Sequence, residues 1–513
     1  MNIEPSRAGR RRAIALLAAI ALGMSGCTTS GSGATPAVST GSTSAASASS
    51  TAAASAQGST DLSGAAPSGA LGAPGAGGQP PNGQPPAANG QSGAQPGGTT
   101  TGTTTGSSTS SSATGATTIA GTSQTTSGQT YAATRADQSA VLVTASGSFT
   151  ATGATITKSG DTTSADESSF YGLNAGILAQ SGSSATLTDS TITATAAGAN
   201  GAFATGTGSS VTLTDVTIKA SGGGAHAVMA TQGATMTLTN VNMTTTDANS
   251  GAIATDRGGG TITATGGTVL TTGQDSPGIY STGNITVTGA AISATGSEAA
   301  VIEGGNTITL NNVALSSSFA GKWGVMIYQS MSGDAAGTKG TFTMTGGSLH
   351  YTGSGGPLFY VTNSTGIITL KGVDLSVASG TLLDAAAGEW GTSGSNGGTA
   401  VLTADGQTLT GDLTADSSSS MTLTLENGSN LTGAINSAHT AKSVAVTLDS
   451  SSSWTVTADS YLTSLTGATI SGSSITNVTG NGHTVYYDAT APANSALGGK
   501  TYSLSGGGAL KPA

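Results

Sequence analysis

Short stretches in which apolar and polar residues alternate recur along the chain at a nearly constant interval. Residues 185–189 read ATLTD, residues 211–215 read VTLTD and residues 236–240 read MTLTN. Within each stretch every second residue is apolar, which is the pattern of a strand that buries one face. Looser copies follow, and equivalent positions lie 23 to 26 residues apart except for one interval of 34. A period near 25 residues predicts a solenoid in which each repeat forms one coil.

Each alternating stretch ends at a residue that tolerates a left-handed backbone, and together these residues form the bend row: Asp189, Asp215, Asn240, Gly266, Gly289, Asn312, Gly346 and Gly372. Asp, Asn and Gly adopt this conformation more readily than other residues, so the row predicts a sharp bend. We expect turn geometry here and no metal site, because Gly and Asn fill the positions equivalent to Asp189 and Asp215. A second short strand follows each bend and a third precedes each unit, giving three strands per coil.

Three strands and three corners per coil resemble the right-handed parallel β-helix of bacterial surface proteins. The similarity is greatest to the passenger regions of autotransporter adhesins, which share the pectin-lyase-like fold, and it covers about residues 130 to 485. Residues 444–465 look like the last rungs of such passengers. The resemblance implies an all-β fold, a right-handed single-stranded parallel β-helix with coils of about 25 residues. The membrane β-barrel that follows an autotransporter passenger has no counterpart before Ala513, so self-export is not implied.

The N-terminal segment has the layout of a secretory signal. Four arginines at positions 7, 10, 11 and 12 precede an apolar run at 13–22, which is too short to span a bilayer as a helix. Residues 24–27, MSGC, resemble the lipobox of bacterial lipoproteins, and Cys27 is the only cysteine. This resemblance implies cleavage before Cys27, lipid on its thiol, and anchoring at the outer membrane or cell surface. Both the general and the twin-arginine export routes remain open.

Composition divides the remainder of the chain. Residues 27–125 contain mainly Ser, Thr, Gly, Ala and Pro, which predicts a disordered tether after the signal peptide at 1–26. The β-helix is expected at 126–480 and a C-terminal cap at 481–513. Cleavage at Cys27 leaves 14 − 4 = 10 basic and 24 − 1 = 23 acidic residues, a net charge of −13. This acidity argues against nucleic acid as a partner, because nucleic-acid binding needs a basic surface.

Two insertions interrupt the coils at what we expect to be one corner of the solenoid. They span residues 329–340 and 386–398, with one plain coil between them. Insertions on one face of a repeat array often form the binding face. We therefore expect ligand contacts from Trp390, Glu389, Asp334 and Lys339. Trp390 lies in a Gly/Ser-rich loop and is the best single candidate for a ligand contact. The alternative is that its ring packs onto the solenoid.

These patterns favour a surface-anchored lipoprotein whose β-helix acts as an adhesin-like module for binding or display. The expected partners are a membrane, through the lipid on Cys27, and a host surface, environmental surface or glycan. We predict no cofactor, no metal and no enzymatic activity. Arg135 and Arg257 are the only arginines outside the N-terminal segment, and the four histidines are scattered.

Two alternative functions remain open. Polysaccharide lyases and hydrolases share this fold, and they need clustered carboxylates, with a basic residue in the lyases. An ice-binding surface is the other alternative. It is indicated by outward Thr-x-Thr ranks such as Thr186 with Thr188 and Thr212 with Thr214, although Thr also suits any exposed strand.

Overall fold

The fold that the repeat predicts is confirmed. The computed structural model describes residues 112–513, and from residue 114 it is an all-β parallel solenoid of about 16 turns, with 53% strand and 3% helix. Coils of a parallel solenoid stack at the strand spacing of about 4.8 Å, so the array is roughly 75–80 Å long. Cys27, the predicted signal peptide and most of the predicted tether lie outside the described residues.

The strands of the solenoid belong to three sheets, and a regular coil gives one strand to sheet A and two to sheet B. Sheet A has twelve strands: Thr114–Ala120, Gln138–Thr144, Ala175–Gln180, Asn200–Thr205, Val228–Thr231, Ile253–Asp256, Ile279–Ser281, Ala300–Glu303, Val325–Tyr328, Phe359–Thr362, Thr381–Ala385 and Asp412–Ala415. Sheet B has 22 strands: Ser123–Ser127, Thr130–Ala133, Ser148–Thr152, Thr155–Lys158, Ser184–Thr188, Thr191–Ala194, Ser210–Thr214, Thr217–Ala220, Ala234–Thr239, Asn242–Thr245, Gly260–Thr265, Thr268–Thr271, Asn284–Thr288, Ala291–Ala294, Thr307–Ser317, Lys339–Tyr351, Thr365–Lys371, Asp374–Val377, Thr399–Asp405, Ser420–Glu426, Ser443–Leu448 and Ser464–Thr466.

Sheet C belongs to the last coils and has nine strands: Thr408–Thr410, Asn430–Thr432, Ser453–Thr455, Ser460–Leu462, Ile470–Ser471, Ser474–Thr479, Thr484–Tyr487, Tyr502–Ser505 and Ala509–Pro512. The helices are α1 at Ala165–Tyr171 and a 3-10 helix at Pro492–Leu497. Among the helices of residues 112–513, none has the length and apolar character needed to cross a bilayer.

Inward aliphatic side chains stack from coil to coil and form one continuous core. A representative column in sheet B consists of Ile192, Ile218, Met243, Val269 and Ile292, paired in register. Each of these side chains is at most 4% exposed. The alternation that marks these strands in the sequence therefore reflects burial of one face of sheet B.

Both predicted boundaries of the solenoid need correction. Strands Thr114–Ala120 and Ser123–Ser127 pair in parallel with the next coil, so the solenoid begins within the segment assigned to the tether. These strands are missed because their residues are mostly Ser, Thr and Gly, with Ile119 alone fully buried in the first. At the other end, Thr484–Tyr487 pairs in parallel with Ser460–Leu462, so regular stacking continues past residue 481. The antiparallel pairing of Tyr502–Ser505 with Ala509–Pro512 closes the last edge of sheet C.

Candidate binding face

The outward face of sheet A is apolar and buried, unlike that of sheet B. Its outward side chains form a second hydrophobic cluster on the outside of the solenoid: Leu142, Ala175, Leu178, Phe203, Met229, Ala254, Tyr280, Val301, Met326, Tyr328 and Tyr360. Three insertions lie against this face: insertion 1 (159–174), insertion 2 (329–338) and insertion 3 (386–398). Insertion 1 leads from sheet B to sheet A, whereas insertions 2 and 3 lead from sheet A to sheet B.

Insertion 1 carries α1 onto the first half of the face. The side chain of Ser164 caps α1 by accepting from the Glu167 N–H, and the helix ends at Gly172 in a left-handed conformation. A Cβ at Gly172 would lie 2.5 Å from the ring of Phe203, so the chain passes directly over the sheet. The Phe170 carbonyl accepts a hydrogen bond of 2.9 Å from the Thr231 hydroxyl, which fixes the helix to the strand beneath it.

Arg257 joins insertion 1 to insertion 2. Its guanidinium lies 3.8 Å from the centroid of the Phe170 ring, a cation–π distance. The same guanidinium donates to Asp334 of insertion 2 at 2.8 Å. Asp334, which the sequence indicated as a ligand contact, is therefore engaged in an ion pair that holds insertion 2 in place.

Glu303 anchors insertion 2 from below. It is 2% exposed and accepts hydrogen bonds from the hydroxyls of Tyr280, Tyr328 and Ser330. Burial, followed by the charge of Glu303, raises the pKa of both tyrosines well above the ordinary value, so their hydroxyls remain donors. Asp256 accepts the N–H of Arg257 at 2.6 Å. Burial raises its pKa to about 8, and the charges of Asp334 and Glu303 add to the shift.

Trp390 lies in a different environment from the one expected. Its indole packs on Tyr328 with the ring centroids 4.8 Å apart, and it is partly buried against the sheet A cluster. The ring therefore packs onto the solenoid, which is the alternative given for it above, because the outward face of sheet A provides an apolar surface. Asn396 shapes the loop by donating to the carbonyls of Gly388 and Trp390 at 2.7 and 2.9 Å.

A second aromatic pair lies beside the first. Trp323 stacks on Tyr360 with centroids 4.4 Å apart and planes inclined by 11°, and Trp323 is partly buried. Asp384 is the register partner of Tyr360 on the next strand. Burial raises the pKa of Tyr360 above its ordinary value, and the negative charges of Asp384, Asp416 and Glu389 raise it further. Glu389 is exposed at the start of the Trp390 loop.

Insertions 2 and 3 are linked through the plain coil between them. They follow strands Val325–Tyr328 and Thr381–Ala385, which lie on either side of Phe359–Thr362 in sheet A. Asn363, at the corner of the plain coil, donates its side-chain amide to the Gln329 carbonyl at 2.6 Å. Its backbone N–H donates to the Asn396 carbonyl at 3.0 Å. The two insertions thus form one continuous surface.

Lys339 does not lie on this surface. It is exposed at the first position of strand Lys339–Tyr351 in sheet B, opposite Thr365 of the next coil. The sequence-based assignments also missed Arg257, Glu303, Tyr328 and Tyr360. A signal for a covered face was present, because strands such as 202–204 and 300–302 are apolar at consecutive positions. Strands of that kind are buried on both faces.

The bend row has left-handed backbone geometry throughout. All eight residues have positive φ, from 51° at Asp189 and Asn240 to 66° at Gly266 and Gly289. At Gly266 a side chain would also collide with the preceding coil, since a Cβ there would lie 2.4 Å from Oδ1 of Asn240. Within the described residues, no group of three or more His, Cys, Asp or Glu side chains is arranged to hold a metal ion.

Sheet B carries an uninterrupted column of threonines on its outward face. Fourteen threonines pair in register from coil to coil: Thr125, Thr150, Thr186, Thr212, Thr237, Thr263, Thr286, Thr309, Thr343, Thr369, Thr403, Thr424, Thr447 and Thr466. The neighbouring column is less regular, with Asn311, Lys371 and Asp405 among its members. The two columns make a flat, polar wall at a second surface of the solenoid.

No protein-family model, curated protein or solved structure matches this chain.

Proposed function

We propose that the protein is a cell-surface binding and display module, anchored through lipid on Cys27 and presenting to a glycan the surface of insertions 2 and 3, which cover the outward face of sheet A. The parallel solenoid supports display, because coils stacked along one axis build a long and regular scaffold. Residues 27–113 would act as the tether. A flexible segment of this length has a root-mean-square reach of roughly 50 Å, enough to separate the solenoid from the membrane.

The observation that carries the binding proposal is the joint surface of insertions 2 and 3. Regular coils close without such loops: between Phe359–Thr362 and Thr365–Lys371 the corner needs only Asn363 and Ser364. Insertion 3 places thirteen residues, 386–398, at the same corner. Long loops within a regular repeat are more often functional than structural. Partly exposed indoles beside carboxylates are suited to sugars, whose rings stack on aromatic faces and whose hydroxyls donate to carboxylates.

The test replaces residues 386–398 by the two-residue Asn-Ser corner of the preceding coil. We expect cells that produce this variant to lose attachment to glycan-coated surfaces, while the cooperative thermal transition of the purified protein is retained. Attachment at the wild-type level by a folded variant would contradict the binding role of insertion 3. A lost melting transition would assign the insertion a structural role.

A polysaccharide-degrading enzyme is the second candidate, and one observation favours it. Asp256, Glu303 and Asp334 converge with Arg257 on the same face, and burial raises the pKa of Asp256 to about 8, as suits a general acid. Glu303 and Asp334 are already engaged with Ser330 and Arg257 in holding insertion 2, which favours the binding proposal. Release of reducing or unsaturated ends from polysaccharides by the wild type, lost in Asp256→Asn, would establish the enzymatic alternative.

Ice binding is the third candidate, supported by the threonine column of sheet B. A rigid, flat array of repeated hydroxyl and methyl groups can order water along one surface. The diagnostic variant is Thr263→Tyr, which places a large ring in the middle of the column. Inhibition of ice recrystallisation by the wild type and its loss in this variant would establish this function. No inhibition by the wild type would exclude it.

A further inference from the structure

The electrostatic character of the binding face selects among glycans. Around Tyr360 lie three carboxylates, those of Asp384, Asp416 and Glu389, whose charges reach its phenol. Asp416 holds the first turn of insertion 3 by accepting the Ala387 N–H at 2.8 Å, and Asp384 accepts from the Thr414 hydroxyl at 2.7 Å. These donors are neutral, so neither carboxylate has a cation as its hydrogen-bond partner, and burial raises the pKa of Asp384 above its ordinary value.

The cations near this surface are committed elsewhere. Arg257 pairs with Asp334 at 2.8 Å beneath insertion 2. Lys322 is 2% exposed, and its ammonium lies 2.7 Å from Asp275, 3.5 Å from Glu298 and 5.8 Å from the centroid of the Trp323 ring. Neither side chain is placed to neutralise the carboxylates around Tyr360. A uronic acid or sulfated sugar would therefore meet like charge here, whereas a cation would be attracted.

The aromatic residues add a second preference for a cation. The rings of Trp323, Tyr360, Tyr328 and Trp390 lie in two packed pairs along the same strip. The faces of aromatic rings attract ammonium groups, most strongly for Trp. The partly exposed rings of Trp323 and Trp390 provide the apolar platform on which a pyranose ring stacks, whereas Tyr328 and Tyr360 are buried against them. A ligand that combines a sugar ring with an ammonium group uses both properties.

A buried hydroxyl points to unmet hydrogen-bonding capacity under insertion 3. Thr362 is fully buried next to Tyr360, and its Oγ1 makes no hydrogen bond of normal geometry, although its contact with Tyr360 lowers the pKa of that phenol. A Cβ at Gly388 would lie 2.8 Å from this oxygen and 3.2 Å from the Tyr360 hydroxyl. The glycine therefore leaves these two hydroxyls without a side chain above them, at the base of the Trp390 loop.

We infer that the glycan recognised by this face is an amino-sugar polymer with free, protonated amines. The inference rests on the proposed glycan-binding function and names its ligand class. Carboxylates of Glu389 and Asp384 receive the ammonium groups, and the indoles of Trp390 and Trp323 contact the sugar rings. N-acetylation removes the positive charge, and a uronic acid reverses it, so both changes weaken binding.

The experiment titrates the full-length chain with four hexamers: glucosamine with free amines, N-acetylglucosamine, galacturonate and lysine. We expect the glucosamine hexamer to bind about tenfold or more tightly than the N-acetylated hexamer. Glu389→Gln should reduce that affinity about two- to fivefold, because an exposed charge contributes modestly. Glu426→Gln, a matched change on sheet B, should leave it unchanged. Equal melting temperatures of the two variants exclude unfolding as the cause.

Each contrary outcome has a separate meaning. Equal binding of the free-amine and N-acetylated hexamers would overturn amine recognition and leave the glycan-binding proposal standing. Preferred binding of galacturonate would overturn the charge argument. Binding of the lysine hexamer as tight as that of glucosamine would show that charge alone is recognised, as for a basic peptide. Failure of every hexamer to bind the folded chain would overturn the proposed glycan binding together with this inference.

Discussion

The indole of Trp390 lies against the phenol of Tyr328, with ring centroids 4.8 Å apart and planes inclined by 52°. Tyr328 also donates its hydroxyl to Glu303 at 2.8 Å, and Glu303 accepts from Ser330 of insertion 2. One tyrosine of sheet A therefore supports both insertions. This arrangement makes the covered face a packed unit, and the positions of its exposed groups are set by the solenoid beneath them.

Because Trp390 is only partly buried, its contact with Tyr328 should contribute little to the free energy of unfolding. Trp390→Ala removes a partly buried ring and its aromatic partner, so we expect a loss of about 1–2 kcal/mol in the free energy of unfolding. Trp454→Ala is the control, because Trp454 is fully buried in the core and donates its indole N–H to Gly433. That change should cost about 3–5 kcal/mol. Equal losses in chemical denaturation would contradict the peripheral position of Trp390.

The bend row predicts a residue-specific effect at Asn240. Its φ of 51° is costly for a β-branched residue, so Asn240→Val should lower the free energy of unfolding by about 1–2 kcal/mol. Asn240→Gly should be close to neutral, because glycine fills equivalent positions at Gly266 and Gly289. A valine variant as stable as the glycine variant would show that the bend imposes no such restriction.

Asp256 predicts a pH dependence of stability with a defined sign. Its pKa rises from 3.8 in the unfolded chain to about 8 in the fold, so folding takes up a proton between these values. The free energy of unfolding is therefore not reduced by Asp256 at low pH. It falls as the pH rises, and the decrease is complete above about pH 8. Asp256→Asn removes this loss.

We expect the Asp256→Asn variant to match the wild type near pH 3.5 and to exceed it at pH 8. The residue keeps some solvent contact, so the gain is discounted to about 1–2 kcal/mol. Denaturant unfolding at a series of pH values measures it. A difference between the two proteins that stays constant with pH would show that Asp256 does not titrate in this range.

Anchoring predicts a simple fractionation result. Cys27→Ser removes the thiol to which the lipid would be attached, so the protein should leave the membrane fraction or keep its signal peptide uncleaved. Membrane fractionation and the mass of the mature chain measure both effects. A variant that matures and fractionates as the wild type does would exclude lipid attachment at Cys27.

The sequence predicts the solenoid well because the fold is built from local repetition. Period-2 alternation identifies the strands of sheet B, and the Asp/Asn/Gly restriction locates bends such as Asn240. The first coil at Thr114–Ala120 escapes detection, because a terminal coil needs few apolar residues and its composition equals that of the preceding segment. The repeat of about 25 residues also gives no information on which surface of the solenoid an insertion packs against.

The candidate face could be predicted only in part for the same reason. Trp390 and Glu389 are conspicuous in a Gly/Ser-rich loop, so composition is sufficient to single them out. The link between Arg257 and Asp334 spans 77 positions in the sequence. It depends on the path of insertion 2 across three coils, which no local pattern contains. Consecutive apolar residues in the strands of sheet A indicate that another part of the chain packs on their outward face. They do not identify which segment it is.

Hydrogen–deuterium exchange of the full-length protein with and without a bound glycan tests the location of the binding surface most directly. We predict that glycan binding protects backbone amides from exchange mainly in residues 329–338 and 386–398 and in the strands beneath them. Strands of sheet B that carry the threonine column should exchange at unchanged rates. Protection confined to sheet B, with both insertions unaffected, would contradict the claim that insertions 2 and 3 form the binding surface.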